Sequence, residues 1–162
     1  MKLQIFTTGG TIDKIYFDAL SEFQIGEPVI GGLLEQMNVG FDYQVDELMR
    51  LDSLDMTDQH RRKIQQQVTE VDTQYILIVH GTDGMVETAG WLRDVENKTI
   101  ILTGALQPAA FSNSDAQFNI GCAIGAIQVL ACGVYIAMNG QVFDASKVVK
   151  NRAEHRFETL VK

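Results

Sequence analysis

Hydroxyls and glycines crowd one short stretch near the start of the chain, LQIFTTGGTIDKIYFD. An apolar run of Leu3, Ile5 and Phe6 breaks abruptly into Thr7-Thr8-Gly9-Gly10-Thr11. Adjacent glycines after a strand allow a backbone approach or a turn that a Cβ would block. A hydroxyl in such a loop becomes a nucleophile when a neighbour takes its proton. A phosphate loop needs Gly-Lys-Ser/Thr, and a dinucleotide fingerprint needs Gly-x-Gly-x-x-Gly opening a helix; this stretch has neither. A serine-type triad needs a histidine base. His60 falls in a polar helical stretch, His155 near the end of the sequence, and His80 at the end of a buried strand. His80 reads as a satisfied semi-buried imidazole rather than as that base. What remains is hydroxyls, carboxylates and a lysine. A lysine serves as a base only where burial or nearby positive charge lowers its pKa. Lys147 and Lys150, in VFDASKVVKNR, both lie within reach of the same region, and composition does not choose between them.

The elements that must position these groups alternate along the chain. Leu3–Thr7 reads as a strand, and Phe41, Tyr43 and Val45 alternate as a half-buried one. The continuous apolar runs Tyr75–Val79, Thr99–Leu102 and Val134–Met138 suit strands covered on both faces of a parallel sheet. Helical stretches lie between them: Val29–Asn38, Thr57–Glu70 with Thr57 as N-cap, Met85–Asp94, and Asp115–Leu130, which is apolar nearly all round. The pattern predicts an α/β fold, a three-layer, doubly wound, mainly parallel sheet of flavodoxin-like order. The loops TTGGT, DSLDM, HGTDG, TGALQP and MNGQ then emerge on its carboxyl edge, where ligands bind at the reversal of strand order. The first and third strands are neighbours there, which sets Thr11 beside Thr82 and Asp83.

At 162 residues the chain is expected to form one domain. Its net charge of −8 argues against a nucleic-acid or anionic-membrane partner. Cys122 and Cys132 lie in apolar sequence with no metal-ligand spacing and read as buried reduced thiols. Strand-like residues from Leu3 leave no room for a basic-then-apolar leader, and the longest apolar segment is interrupted by Asn119, Gln128 and Gly133, so the expected compartment is the cytoplasm. Gly121 and Gly125, four apart on the apolar helix, read as close packing on the sheet or as a subunit interface.

TTGGTI after the first strand and HGTDGMVET after the third resemble the two signature motifs of the bacterial-type L-asparaginases. DSLDM, LTGALQP, SDAQFN and GVYIAMNGQVFDASKVVKN resemble further segments of that family in the same order, so the resemblance runs from near Met1 to about Arg156. It implies an amidohydrolase with a threonine nucleophile and neither metal nor cofactor, built on the family's amino-terminal domain. By position, Thr11 is implied as the nucleophile. It attacks the side-chain amide carbon of L-asparagine, releases ammonia and leaves an acyl-enzyme for water to hydrolyse. L-Glutamine is a second candidate substrate. Thr82 is implied to position water or relay a proton, with Lys150, not Lys147, as its basic partner. Asp83 is implied to hold the α-ammonium. Ser53 takes the α-carboxylate, helped by glycine-loop N–H groups at a helix start, and the same donors could serve an oxyanion at about 3 kcal/mol each. Gly10, Asp52 and Gly81 join the substrate-contacting positions, and the Ala105 carbonyl lies near the leaving amide. Family members assemble, so a homodimer is expected.

The sequence also departs from the family's pattern. It stops at Lys162, where relatives continue into a second domain that supplies a carboxylate to a neighbouring active site. The expectation is therefore a single domain over residues 1–162 with a more open site or a substitute group. Tyr16 is the only tyrosine of the first loop and is nominated to activate the nucleophile, or else anchors that loop beside Phe17. Leu54 stands where a glutamine is common, Gly84 where threonine is frequent, Gln107 at an arginine position, and Asp13 where a small residue is usual. Two further readings compete: a non-catalytic amino-acid-binding module keeping Ser53 and Asp83 as a clamp, and an anion- or nucleotide-binding flavodoxin-like domain.

Overall fold

The computed structural model describes residues 1–17 and 22–160. Its central sheet holds β1 (Lys2–Thr7), β4 (Asp42–Glu47), β5 (Tyr75–Val79), β6 (Thr99–Thr103), β7 (Gly133–Met138) and β8 (Gln141–Asp144). They run in the order β4-β1-β5-β6-β7-β8. The first five pair in parallel, and β8 alone runs antiparallel, against β7. The reversal of strand order therefore falls between β1 and β5, as expected. The sheet is doubly wound and mainly parallel, as the sequence pattern predicts.

Alternation along the strands separates two apolar layers. Ile76 and Ile78 of β5 point to one face, with Ile64 and Val68 of α2 (Asp58–Glu70) and Met85 and Ala89 of α3 (Met85–Trp91). Leu77 and Val79 point to the other, with Ile30 and Leu34 of α1 (Ile30–Gln36) and Ile120, Ala123 and Ile127 of α4 (Ala116–Ile127). Fully burying such a side chain stabilises by about 1.5–3 kcal/mol, which is why the strands tolerate so few polar residues. α2 starts where Thr57 predicts, with His60 Nδ1 accepting from the Thr57 N–H at 3.1 Å.

Two hairpins that the apolar pattern does not announce stand outside this sheet. β2 (Lys14–Phe17) pairs antiparallel with β3 (Glu22–Ile25), and β9 (Val148–Asn151) with β10 (Arg156–Thr159). MNGQ is a tight turn as well as a cleft loop: Asn139 and Gly140 carry φ of 55° and 74°, both positive as a type I′ turn demands, and join β7 to β8.

Three expectations need correction. The thiols are free, but Cys122 is only half-buried and Cys132 is exposed in the turn before β7. Gly121 and Gly125 do not pack on the sheet, because nothing lies within 4 Å of where a Cβ would stand on either; α4 buries Ala116, Asn119, Ile120, Ala123 and Ile127 instead. No α-helix follows the glycine loop, which opens a single 3-10 turn, Thr11–Asp13, running straight into β2. The helix-start donors expected there are absent. Among the described residues no helix is long and apolar enough to cross a membrane.

Candidate active site

The carboxyl ends of β1 and β5 meet through backbone. Gly10 has φ 103°, and a Cβ on it would come within 2.6 Å of the Gly81 Cα. A Cβ on Gly81 would in turn meet the Ser53 Oγ at 2.6 Å. These glycines let three loops lie against one another. Their missing side chains make this loop-on-loop packing possible. It carries Thr11, Ser53, Thr82 and Asp83 to one edge although they are far apart in sequence.

Beneath this edge His80 is wholly buried. Its Nδ1 lies 2.8 Å from the Gly81 carbonyl and its Nε2 2.8 Å from Thr88 Oγ1. A carbonyl only accepts, so Nδ1 carries the proton and Thr88 donates to Nε2. Burial lowers His80 to about 4, against the Gly81 bond, so the ring stays neutral. It is the satisfied structural imidazole expected and props up the backbone that presents Thr82.

Thr11, Thr82, Asp83 and Lys150 line one cleft of about 540 Å³, with Leu106, Gln107, Asp115, Asn139 and His155. Lys150, on β9, donates to Thr82 Oγ1 at 2.8 Å and to Asp83 Oδ1 at 2.9 Å. Lys147 instead pairs with Asp144 at 3.6 Å on the surface, away from the cleft. Geometry thus makes the choice that composition left open. Burial works to raise the Asp83 carboxyl, but hydrogen bonds and charge from Lys150 and Arg152 outweigh it and hold the group below its ordinary value.

The other nominated residues stand as follows. Ser53 is buried behind Gly81; its Oγ accepts from the Gly84 N–H at 3.0 Å, which leaves its own proton to donate. Asp52 accepts from Lys14 Nζ at 3.1 Å and from the Leu54 N–H at 3.1 Å. Ala105 is buried at the end of β6, next to the cleft-lining Leu106. The Thr11 hydroxyl makes no hydrogen bond among the described residues. Tyr16 is not brought to the cleft: it lies on the outer part of the β2–β3 hairpin, 53% exposed, its ring edge-on to Phe23 with centroids 5.5 Å apart.

A polar network behind the cleft went unread. Asn119 is fully buried on α4. Its Nδ2 donates to the Gly104 carbonyl at 3.0 Å and to Asp115 Oδ2 at 2.7 Å, while its Oδ1 accepts from the Asn139 N–H at 3.2 Å. Asp115 also accepts from the Leu106 and Gln107 N–H groups at 3.0 Å. Asn139 Oδ1 accepts from Phe157 N–H at 2.9 Å, on the strand facing Lys150. The available signal was the spacing of Asp115 and Asn119, four apart and so on one helix face.

Asp13, marked above only as a departure from the family's pattern, is buried beside the glycine loop. Its Oδ1 caps the approach to α1 by accepting from Val29 N–H at 3.0 Å, while its buried Oδ2 has no partner among the described residues. Burial pushes this carboxyl up to about 6, partly opposed by the Val29 bond.

Comparison with known proteins agrees with this architecture. The family model described as the asparaginase N-terminal domain matches residues 2–159. A protein of Haemophilus influenzae named as a probable periplasmic L-asparaginase is 30% identical over 163 residues, 91% of this chain and 46% of that protein. A glutaminase-asparaginase of Pseudomonas fluorescens is 27% identical over 168 residues, covering 93% and 46%. The solved thermostable L-asparaginase of Thermococcus kodakarensis superposes with a TM-score of 0.85 at 24% identity, over 98% of this chain and 51% of that one. This last likeness speaks for the fold. The chain spans about half the length of the curated relatives it matches.

Proposed function

The chain belongs to the asparaginase family by its amino-terminal domain, and on that premise we propose that it hydrolyses the side-chain amide of L-asparagine to L-aspartate and ammonia. One observation carries the reading: Thr11 shares a cleft with Thr82, whose hydroxyl already accepts from Lys150. In this reading Thr11 Oγ attacks the amide carbon. The C–N bond breaks as Thr82 gives its proton to the departing nitrogen, which leaves as ammonia, and recovers one from Lys150, which is recharged by the proton that Thr11 releases through cleft water. Water then attacks the Thr11 ester, releasing the second carboxylate and restoring the hydroxyl. Ser53, with its proton free, orients the α-carboxylate, and the Ala105 carbonyl faces the amide nitrogen. The unit acting in this way is the single α/β domain over residues 1–162.

Ammonia release from asparagine and glutamine, measured side by side, tests the proposal. Wild-type protein is expected to release ammonia and Thr11→Ala to lose at least about 10³-fold, the scale of removing an activated nucleophile. A second reading, a binding module that turns nothing over, is favoured by the Thr11 hydroxyl making no hydrogen bond, among the described residues, to a group that could take its proton. Binding of asparagine without ammonia over long incubation decides for that reading.

We also propose a homodimer through the outer face of α4 and the turn after it, where Phe118 is 64% exposed near Gly121 and Gly125 and Val129 is 83% exposed just beyond the helix. Light scattering giving a monomeric mass at micromolar concentration overturns it.

A further inference from the structure

We propose that His155 is the general base for Thr11, the group to which the nucleophile's proton passes through cleft water. The inference rests on the amide-hydrolysis reading of the same site and supplies a proton acceptor that this reading needs.

The groups around Thr11 are nearly all committed elsewhere. Lys150 donates to Thr82 Oγ1 and to Asp83 Oδ1, and a charged ammonium has no lone pair to offer. The Thr82 proton goes to the departing nitrogen, so that hydroxyl moves charge the other way. Asp83 accepts from both Lys150 and Arg152 at one oxygen, and a carboxylate held by two cations keeps its charge. Asp115 accepts from the Leu106 N–H at both oxygens, from the Gln107 N–H and from Asn119 Nδ2, which fills the lone pairs a carboxylate has. The side-chain amides of Gln107 and Asn139 are not bases at neutral pH. Of the residues that line the cleft, His155 is the one left.

The β9–β10 hairpin is what brings His155 to Thr11. Lys150 pairs with Phe157 and Asn151 with Arg156, so residues 152–155 close the turn directly beside Lys150. Asn151 Oδ1 accepts from the Ala153 and Glu154 N–H groups, both at 3.1 Å, and fixes that turn. His155 takes a φ of 50°, in the left-handed region that glycine and asparagine enter most readily. A bulky ring kept where glycine fits without strain points to a use for the ring. Its nitrogens make no hydrogen bond among the described residues, and a neutral imidazole holds one acceptor nitrogen ready.

The protons balance over both halves of the reaction. As Thr11 Oγ bonds to the amide carbon, its O–H bond breaks and the proton passes through water to the imidazole. The imidazolium recharges Lys150, again through water, once Thr82 has drawn on it. In the second half the imidazole takes a proton from the water attacking the ester. It returns that proton to Thr11 Oγ as the ester C–O bond breaks, and the ring ends neutral as it began.

His155→Asn and His155→Gly both suit the positive φ, so circular dichroism and thermal melting should report an intact fold. With L-asparagine as substrate, either variant is expected to lose at least about a hundredfold in kcat, with KM within about threefold. Free imidazole at tens of millimolar should restore at least about tenfold to His155→Gly and leave wild type unchanged. A kcat within about threefold of wild type in both variants overturns the inference. So does a loss that imidazole does not restore, since a free base cannot stand in for a residue that only shapes the turn. Wild-type protein that releases no ammonia from asparagine or glutamine removes the hydrolytic reading, and this role with it. An active wild type with indifferent His155 variants removes the role alone.

Discussion

The two walls of the cleft are built differently. On the wall formed by β5, β7 and the β9–β10 hairpin, the polar atoms around Lys150 are bonded in series. Lys150 holds Thr82 and Asp83, and Phe157, paired with Lys150, is tied through Asn139 to Asn119 and on to the loop after β6. On the side of the glycine loop, with the β2–β3 hairpin beyond it, the Thr11 hydroxyl and Asp13 Oδ2 have no bond among the described residues, and Ile15, Tyr16, Phe17 and Phe23 stand exposed. The groups that would move protons are fixed in place before any ligand arrives, and the group that would react is not. Prearranged donors cost no reorganisation at the moment of reaction, so the bonded wall should dominate rate, and changes to the other wall should show chiefly in stability.

The largest effect expected from this contrast lies at Lys150. Lys150→Met keeps the length of the side chain and removes both bonds. Ammonia release should fall by at least about 10³-fold, with the β9–β10 pairing intact by circular dichroism. A loss under tenfold would break the comparison at its strongest point, because it would mean that Thr82 works without the cation it touches.

Next comes Asn119, which touches no ligand in the proposed mechanism and acts by positioning. Asn119→Leu conserves volume but orphans the Gly104 carbonyl and the Asn139 N–H and takes from Asp115 Oδ2 one of its two bonds. Stability should drop by about 2–4 kcal/mol, since each buried group left unpaired costs about 1–3. A displaced hairpin should also lower kcat about a hundredfold with KM changed less, a split that mere loss of folded protein does not produce. Full kcat in the fraction that remains folded would show that the wall does not depend on its network.

Much of this frame could be read from the residues. Tyr75–Val79 is a strand and Thr57 a cap because apolar runs and hydroxyl caps report on their own neighbourhood. The edge that carries the candidate site was legible for the same reason, as each strand ended in a loop of unusual composition. What the residues by themselves left open depends on contacts across the chain. Lys150 rather than Lys147 faces Thr82 because Val148–Asn151 pairs with Arg156–Thr159, and strands of four residues carry too little pattern to announce themselves. Arg152 meets Asp83 across 69 positions, with no local signal at either end. The glycines were read as serving a ligand, yet what a Cβ on Gly10 would strike is Gly81, a residue that only the fold brings near.

The smallest expected effect separates stability from rate on the looser wall. Asp13 has its carboxyl raised from 3.8 to about 6, so the folded chain holds that proton more tightly than the unfolded one. Its contribution is favourable below about 4 and is lost as pH rises to about 6. His80 is lowered from 6.5 to about 4, so there the unfolded chain binds the proton more tightly and stability rises with pH over nearly the same window. Each shift is worth at most about 3 kcal/mol, with opposite sign, and in the wild-type protein the two slopes largely cancel. Asp13→Asn keeps an acceptor for the Val29 N–H and removes the buried charge. It should stabilise the protein by about 2 kcal/mol at pH 7.5 and expose the His80 slope, so that denaturation midpoints fall more steeply than wild type between pH 6.5 and 4.5. Ammonia release at pH 7.5 should stay within about threefold, because Asp13 touches neither the Thr11 hydroxyl nor the Lys150 chain. An Asp13→Asn protein that is no more stable at pH 7.5 would mean that Oδ2 is not an uncompensated charge, and the looser wall would then be as fully bonded as the one opposite.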